Sequence, residues 1–221
     1  MKTVIAIDGL DGSGKSTFAR QLTASLAATL AEAGETAVLF RVDDFRQPVA
    51  WTTPEREADL YYDTYYDLDQ CDRCLRAFVA GVDHVSTPLY DIVAEKVTGT
   101  RRVELSGATV AIVEGVFPLR IPQAAAGVLI YLDASEAVIR DRILARDLKK
   151  SRTAEEIARR IDRRYVPSQH RYLREHRPRD RADIVIDNED PSAPRTLRCD
   201  LSRVPEPLHA ALGRLVKGPI L

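Results

Sequence analysis

Cysteine is scarce in these 221 residues: three, at positions 71, 74 and 199. So few cannot build a paired disulfide framework, and a chain this long buries enough core to need none, which points to a reducing compartment, the cytoplasm. Cys71-Asp-Arg-Cys74 has the spacing of half a zinc site, but no second Cys/His pair follows at ligand spacing, and the same rhythm runs on through Leu75 and Phe78. A helix stripe facing a core accounts for both thiols. Long apolar runs are missing too: the longest, Ala124–Leu132, is too short to span hydrocarbon, and Lys2-Thr-Val-Ile-Ala-Ile-Asp8 shows no cleavable hydrophobic segment. Neither membrane insertion nor secretion is expected. Overall charge is nearly nil, 32 Lys+Arg against 33 Asp+Glu, so nothing draws the whole molecule to nucleic acid. Repeats, low-complexity tracts and linkers are absent as well, and 45% hydrophobic with 29% charged residues lead to the expectation of one globular domain over 1–221.

What is present is alternation of strand and helix. Residues Thr3–Ile7, Thr36–Val42, Ala108–Val113, Val128–Leu132 and Ala182–Ile186 are short apolar runs, as expected of parallel strands covered on both faces. Between and after them lie helical patterns. These are Lys15–Ala33 closed by Gly34, Pro54 to about Tyr66 capped by Thr53 or Thr52, Asp69–Ala80, Ser135–Leu148, Thr153–Arg164 behind the capping box Thr153-Ala-Glu-Glu156, and Glu206–Val216. Alternation around Thr98-Gly99, between Val93 and Leu105, predicts a β-hairpin projecting from the main body. The fold class is therefore α/β.

The strongest chemical signal is Gly9-Leu-Asp-Gly12-Ser13-Gly14-Lys15-Ser16-Thr17, a GxxxxGK[ST] loop set between the first strand and the first helix. Glycines let the backbone curl so that successive N–H groups face a phosphate, and the helix N-terminus adds its positive dipole end. Lys15 would reach the β- and γ-phosphates, and Ser16 would ligate Mg²⁺ through its hydroxyl. Asp43 and Asp44 end the second strand and Glu114 ends the third apolar run, so all three should lie beside this loop at the carboxyl edge of the sheet. A carboxylate at the first position can accept a proton from a hydroxyl, and one at the second can hold Mg²⁺. Residues 140–181 carry thirteen arginines and two lysines against seven carboxylates, a local excess suited to a polyanionic small ligand. Arg142 and Arg146 share a helix face and Arg152 precedes the next helix, so the three are placed to close over a triphosphate, whereas Arg159, Arg160, Arg163 and Arg164 read as a solvated face.

These features, with Tyr66-Asp67, Pro88-Leu-Tyr90-Asp91, Ile112-Val113-Glu114-Gly115, Arg146-Asp147 and Arg181-Ala182-Asp183-Ile184-Val185, occur in the order and near the spacing of one family. The chain resembles the uridine kinase family of P-loop kinases, which includes phosphoribulokinase and one type of pantothenate kinase, over roughly residues 3–190. The resemblance implies a three-layer fold around a five-stranded parallel sheet, a small β-hairpin and an Arg-rich helical lid at about 140–165. It also implies transfer of the ATP γ-phosphate, with Mg²⁺, to the 5′-hydroxyl of a nucleoside. Asp43, Lys15 and Arg146 then take catalytic positions, and Gly9, Gly12, Ser13, Gly14, Lys15, Ser16, Thr17, Arg142, Arg146 and Arg152 contact nucleotide. Ser16 and Glu114 take the magnesium positions, and Asp43, Asp63, Tyr90, Glu95 and Arg140 contact the acceptor. Glu95 stands where uridine kinases normally carry a base-reading histidine, so a donor-bearing or cationic acceptor would suit it better than uracil. The alternatives are a kinase of another hydroxyl metabolite, pantothenate-like or sugar, and a regulatory ATPase with no acceptor. Partners are thus ATP and a small acceptor, with a homo-oligomer left open.

Overall fold

The computed structural model describes residues 2–51, 53–150 and 152–217. The strands are β1 (Thr3–Asp8), β2 (Thr36–Arg41), β3 (His84–Asp91), β4 (Lys96–Glu104), β5 (Ala108–Glu114), β6 (Val128–Asp133), β7 (Ile184–Asp187) and β8 (Arg195–Cys199). The helices are α1 (Lys15–Ala31), α2 (Glu57–Asp63), α3 (Leu68–Val79), α4 (Pro122–Ala126), α5 (Glu136–Leu148), α6 (Ala154–Arg160), α7 (Val166–His176), α8 (Pro178–Arg181) and α9 (Glu206–Lys217). Six strands form the main sheet in the order β2-β5-β1-β6-β7-β8, and β3 pairs with β4 in a separate hairpin.

The five expected strands are there and are mutually parallel, but a sixth, β8, is added antiparallel to β7. Its residues Arg-Thr-Leu-Arg-Cys are all exposed, so no apolar run announced it. Alternate side chains of the central strands serve two cores. Ile5, Ile7, Val110 and Ile112 pack on Phe18, Leu22 and Leu26 of α1 and on Leu208 and Leu212 of α9. Val4, Ala6, Ala111 and Val113 pack on Leu75, Phe78 and the buried Cys71 and Cys74 of α3, with Ala124 and Tyr172 nearby. Burial raises the Cys71 and Cys74 thiols above their ordinary pKa, as befits core packing. A smaller cluster, Ile139, Ile143, Ile157 and Ile161, joins α5 to α6. Among the described residues no helix is long and apolar enough to cross a membrane.

Three local expectations are corrected. The hairpin turns at residues 92–95, not at Thr98-Gly99, because the Asp91 carboxylate accepts the N–H groups of Val93 and Ala94 and closes the turn there. The segment from Pro54 starts as a 3₁₀ turn at Pro54–Arg56 and is α-helical only over Glu57–Asp63. Thr53 sits at its N-cap without a side-chain cap bond, and Thr52 lies outside the described residues. The helix from Thr153 ends at Arg160 and passes through a π turn, Ile161–Tyr165, into α7.

Candidate active site

Between β1 and α1 the chain curls through residues 9–14, and Gly14 caps α1 with φ 99°, a left-handed conformation that L side chains rarely adopt. A Cβ there would lie 2.5 Å from Asn188 Nδ2. That amide donates to the Ser13 carbonyl at 2.7 Å, and Arg142 donates to the carbonyls of Asn188 and Glu189 at 2.9 and 3.0 Å, so the segment after β7 pins the loop from outside. From within, Asp8 accepts the Gly9 N–H and the Tyr172 hydroxyl, each at 2.6 Å. Burial pushes the Asp8 carboxyl up to about 6, against the pull of those two hydrogen bonds and of Lys15 and Arg181. The Lys15 side chain, 6% exposed, folds back along the loop and donates to the Leu10 carbonyl at 2.7 Å.

The first turn of α1, the turn after β2 and the end of β5 bring three oxygen ligands together at this loop. Ser16 donates to Glu114 at 3.2 Å, and Asp43, in the 3₁₀ turn Val42–Phe45 after β2, borders the same cleft. Glu114 is 4% exposed; burial and then the nearby Asp43 charge raise its pKa, outweighing Lys15 and Ser16. Two carboxylates and a hydroxyl are hard ligands, and crowding of the two negative charges is what a divalent cation relieves. Among the described residues no group of three or more His, Cys, Asp or Glu could cage a metal. The hard oxygens of Ser16, Glu114 and Asp43 are of the kind that suits Mg²⁺, commonly held by one or two carboxylates with substrate phosphates and water, and not a soft metal. Asp44 does different work: it takes Arg41 at 2.7 Å and Arg101 at 2.8 Å, tying the hairpin to the end of β2.

Gly12, Gly14, Lys15, Ser16, Thr17, Asp43, Glu114, Arg142 and Arg146 thus line one cleft. Arg146 spans its mouth, bound to Asp11 at 2.9 Å and to Asp147 at 2.8 Å. Asp147, 1% exposed, also takes Arg152 at 2.8 Å and Lys150 at 3.3 Å. Burial raises the Asp11 carboxyl, but the Arg146 guanidinium, helped by Lys15 and Arg46, outweighs it and holds the group below its ordinary pKa. Beside Gly12 and Gly14 a more apolar recess opens between Thr17, Phe18, Asn188 and Pro191.

Beyond Asp43 the cleft continues into a second space lined by Arg46, Tyr61, Tyr65, Tyr66, Arg152, Arg160 and Tyr165. Tyr61 and Tyr66 hydroxyls meet at 3.0 Å, and the Tyr61 and Tyr65 rings stack with centroids 5.4 Å apart. Tyr90, half-buried at the end of β3, and Glu95, exposed in the hairpin turn with φ 48°, come within electrostatic reach of Tyr65. Of the five expected acceptor contacts only Asp43 lines the clefts; Tyr90 and Glu95 stay near the second space without lining it, and Asp63 and Arg140 are engaged elsewhere. Asp63 faces Arg171 at 2.9 Å and Arg120 at 3.7 Å, and Arg140 is taken up by Glu136 at 2.9 Å and Asp162 at 2.7 Å.

Nor are all the later arginines a solvated face. Arg164 is buried, bonded to the buried Glu57 at 2.5 Å and stacked 3.7 Å from the Trp51 ring centre, while Arg159 reaches Glu57 at 3.3 Å. These contacts fasten α2 to the π turn. Among the residues of this space that sequence reasoning did not assign to the site are Arg46, Tyr61, Tyr65, Tyr66, Lys150, Arg160 and Tyr165. Arg46 left a trace: it follows Asp43 by three residues, one 3₁₀ turn, and its guanidinium lies 2.5 Å from that carboxylate.

Residues 4–191 match the model of the phosphoribulokinase / uridine kinase family. The chain belongs to that family. Its P-loop kinase fold is shared with a Bacillus stearothermophilus protein described as a possible uridine kinase, at 26% identity and TM-score 0.61, covering 83% of this chain and 88% of that one. A Silicibacter sp. TM1040 protein, provisionally described as a fructose transport system kinase, has the same fold at 23% identity and TM-score 0.60, covering 78% and 85%. The uridine kinase of Saccharomyces cerevisiae is 27% identical over 154 residues, 66% of this chain. The chain spans about 29% of that relative's length. The family model covers most of the described chain, from the first strand to just beyond β7.

Proposed function

We propose that the chain transfers the γ-phosphoryl group of ATP to a hydroxyl of a small molecule held in the tyrosine-lined space, with Asp43 as the base. The observation that carries this is that Asp43 and Arg146 line both spaces, the phosphate cleft and the tyrosine-lined one, and so stand where donor and acceptor would meet. The residues of the loop and the first turn of α1 bind the phosphates, and the recess beside Phe18 and Pro191 takes the base of the nucleotide. Ser16 and Glu114 would hold Mg²⁺, which when bound would supply charge neutralisation at the phosphates. Asp43 accepts the proton of the acceptor hydroxyl as its oxygen attacks the γ-phosphorus and ADP leaves, while Arg46 fixes the orientation of that carboxylate. Arg142, Arg146 and Arg152, on a lid of residues 140–165, complete the shell around the transferring group and exclude water.

A nucleoside 5′-hydroxyl is the acceptor the family resemblance implies, with Tyr90 against the base. A second reading, another hydroxyl metabolite, is favoured by Asp63 being engaged with Arg171 and Arg120 and by Glu95 standing exposed in its turn. Release of ADP measured with and without acceptors tests the reading: turnover that appears only when an acceptor is added supports a kinase, and hydrolysis at the same rate without one would replace it with a regulatory ATPase.

A further inference from the structure

Helix α7 passes behind the loop of residues 9–14 and ties to it at two points. The Oε1 of Gln169 accepts the Asp11 N–H at 3.2 Å; three residues on, on the same helix face, the Tyr172 hydroxyl donates to Asp8 at 2.6 Å and accepts the Leu119 N–H at 3.0 Å. Asp8 in turn accepts the Gly9 N–H. Gln169 and Tyr172 are both buried. The Nε2 of Gln169 is buried as well and has no acceptor among the described residues, so this amide spends its oxygen on the loop and leaves its own donor unpaired. An unpaired buried donor is costly, and packing alone would be served better by an apolar side chain of the same size.

These contacts sort the N–H groups of the loop. Those of Gly9, Asp11 and Ser13 are taken by Asp8, Gln169 and the Leu10 carbonyl. Turning alternate N–H groups back into the protein leaves the intervening peptides of Gly12 and Gly14, which line the cleft, to face an anion. The close approaches at the glycines do not do this. A Cβ at Gly12 would lie 3.1 Å from the Ile139 carbonyl and one at Gly14 would lie 2.5 Å from Asn188, which keeps the backbone near its neighbours without choosing where its N–H groups point. Gln169 reaches further, because the residue that it anchors through the backbone, Asp11, also binds Arg146 at the cleft mouth.

We infer that Gln169 and Tyr172 are positioning residues: through the Asp11 N–H, and through Asp8 and the Gly9 N–H, they hold the loop in the curl that receives the β-phosphate of the nucleotide. This deepens the kinase reading above at its phosphate end and rests on it there, whatever the acceptor. Neither side chain lines the phosphate cleft, so each acts through the loop and not on the nucleotide.

The test titrates the full chain with ADP and Mg²⁺ by calorimetry, with thermal unfolding confirming that each variant is folded at the titration temperature. Gln169→Leu removes the acceptor at nearly constant volume, and Tyr172→Phe removes only the hydroxyl. Tyr62→Phe is the control: it cuts the 2.6 Å bond from α2 to Glu175 of α7 and leaves both loop contacts in place. The expected result is that Kd for ADP rises about 3- to 10-fold in each of the first two variants and about tenfold or more when they are combined, while Tyr62→Phe stays within about twofold of wild type. Side chains that merely secured α7 would move ADP affinity no more than Tyr62 does. Should Tyr172→Phe fail to fold, Gln169→Leu decides the matter by itself. Unchanged or tighter ADP binding in either folded variant, or an equal loss in Tyr62→Phe, would overturn the inference and leave the kinase reading standing. Absence of ADP binding in the wild type would reject the phosphate site and the inference with it.

Discussion

The two halves of the candidate site are built in different ways. The phosphate cleft is built around one continuous stretch, residues 11–17, joined by Asp43, Glu114 and the α5 arginines, and its loop is braced by few contacts: Asp8 with Gly9 and Tyr172 beneath it, Asn188 and Arg142 beside it. The tyrosine-lined space instead draws on the 3₁₀ turn after β2, α2, the hairpin turn, the end of α5, α6 and the π turn. Besides the buried Arg164–Glu57 pair, ion pairs between exposed or half-exposed side chains hold those segments together, as Asp44 does with Arg41 and Arg101, or Arg140 with Glu136 and Asp162. Such pairs contribute little individually and are easily exchanged in evolution. A preorganised phosphate end joined to an adjustable acceptor end is the arrangement expected where one reaction is kept and its second substrate varies.

The contrast is sharpest at Lys15. Its ammonium is buried against the loop and would act on charge that develops in transfer, so Lys15→Ala should lower kcat by about 10²–10³-fold or more with the fold retained, as ADP release and thermal unfolding would report. Wild-type turnover in that variant would break the assignment of the phosphate end. Beneath the loop, Asp8 ties stability to pH. The folded state holds the Asp8 proton up to about pH 6, whereas the unfolded chain releases it near 3.8. Between those values the unfolded state binds fewer protons, so wild-type stability falls as pH rises, by at most about 3 kcal/mol. Asp8→Asn does not titrate and should lack this slope in denaturant unfolding compared at pH 4.5 and pH 7. At the junction of the halves, Arg146→Ala should slow transfer about tenfold or more and change KM for ATP less, because Arg146 spans the cleft mouth from Asp11 to Asp147. Equal kcat in wild type and variant would make Arg146 a structural ion-pair residue.

The same division governs how far the sequence could be read. The loop, the parallel strands and the strand-end positions of Asp43 and Glu114 were legible because local pattern determines them: four marked positions in one stretch, apolar runs of strand length, carboxylates at their ends. The exposed edge strand β8 carried no such pattern, and the hairpin turn went to Asp91 because a side chain bonding its own backbone outweighs a Thr-Gly pair. Arg160 and Arg164 looked like a solvated face because their surroundings, Tyr165, Glu57 and Trp51, are supplied by the π turn and by segments up to 113 residues away. Asp63 and Arg140 were assigned to the acceptor by position in the chain, and ion pairs from other helices turn them elsewhere.

The central claim, that the two halves meet at Asp43, is tested most directly by comparing Asp43→Asn with Asp44→Asn in acceptor-dependent ADP release and ATP binding. Asp43 borders both spaces while its neighbour only anchors the hairpin. The account predicts that Asp43→Asn lowers kcat by about 10²–10⁴-fold with ATP affinity within about twofold of wild type, and that Asp44→Asn keeps most of the activity. Greater loss in Asp44→Asn, or full turnover in Asp43→Asn, would contradict it.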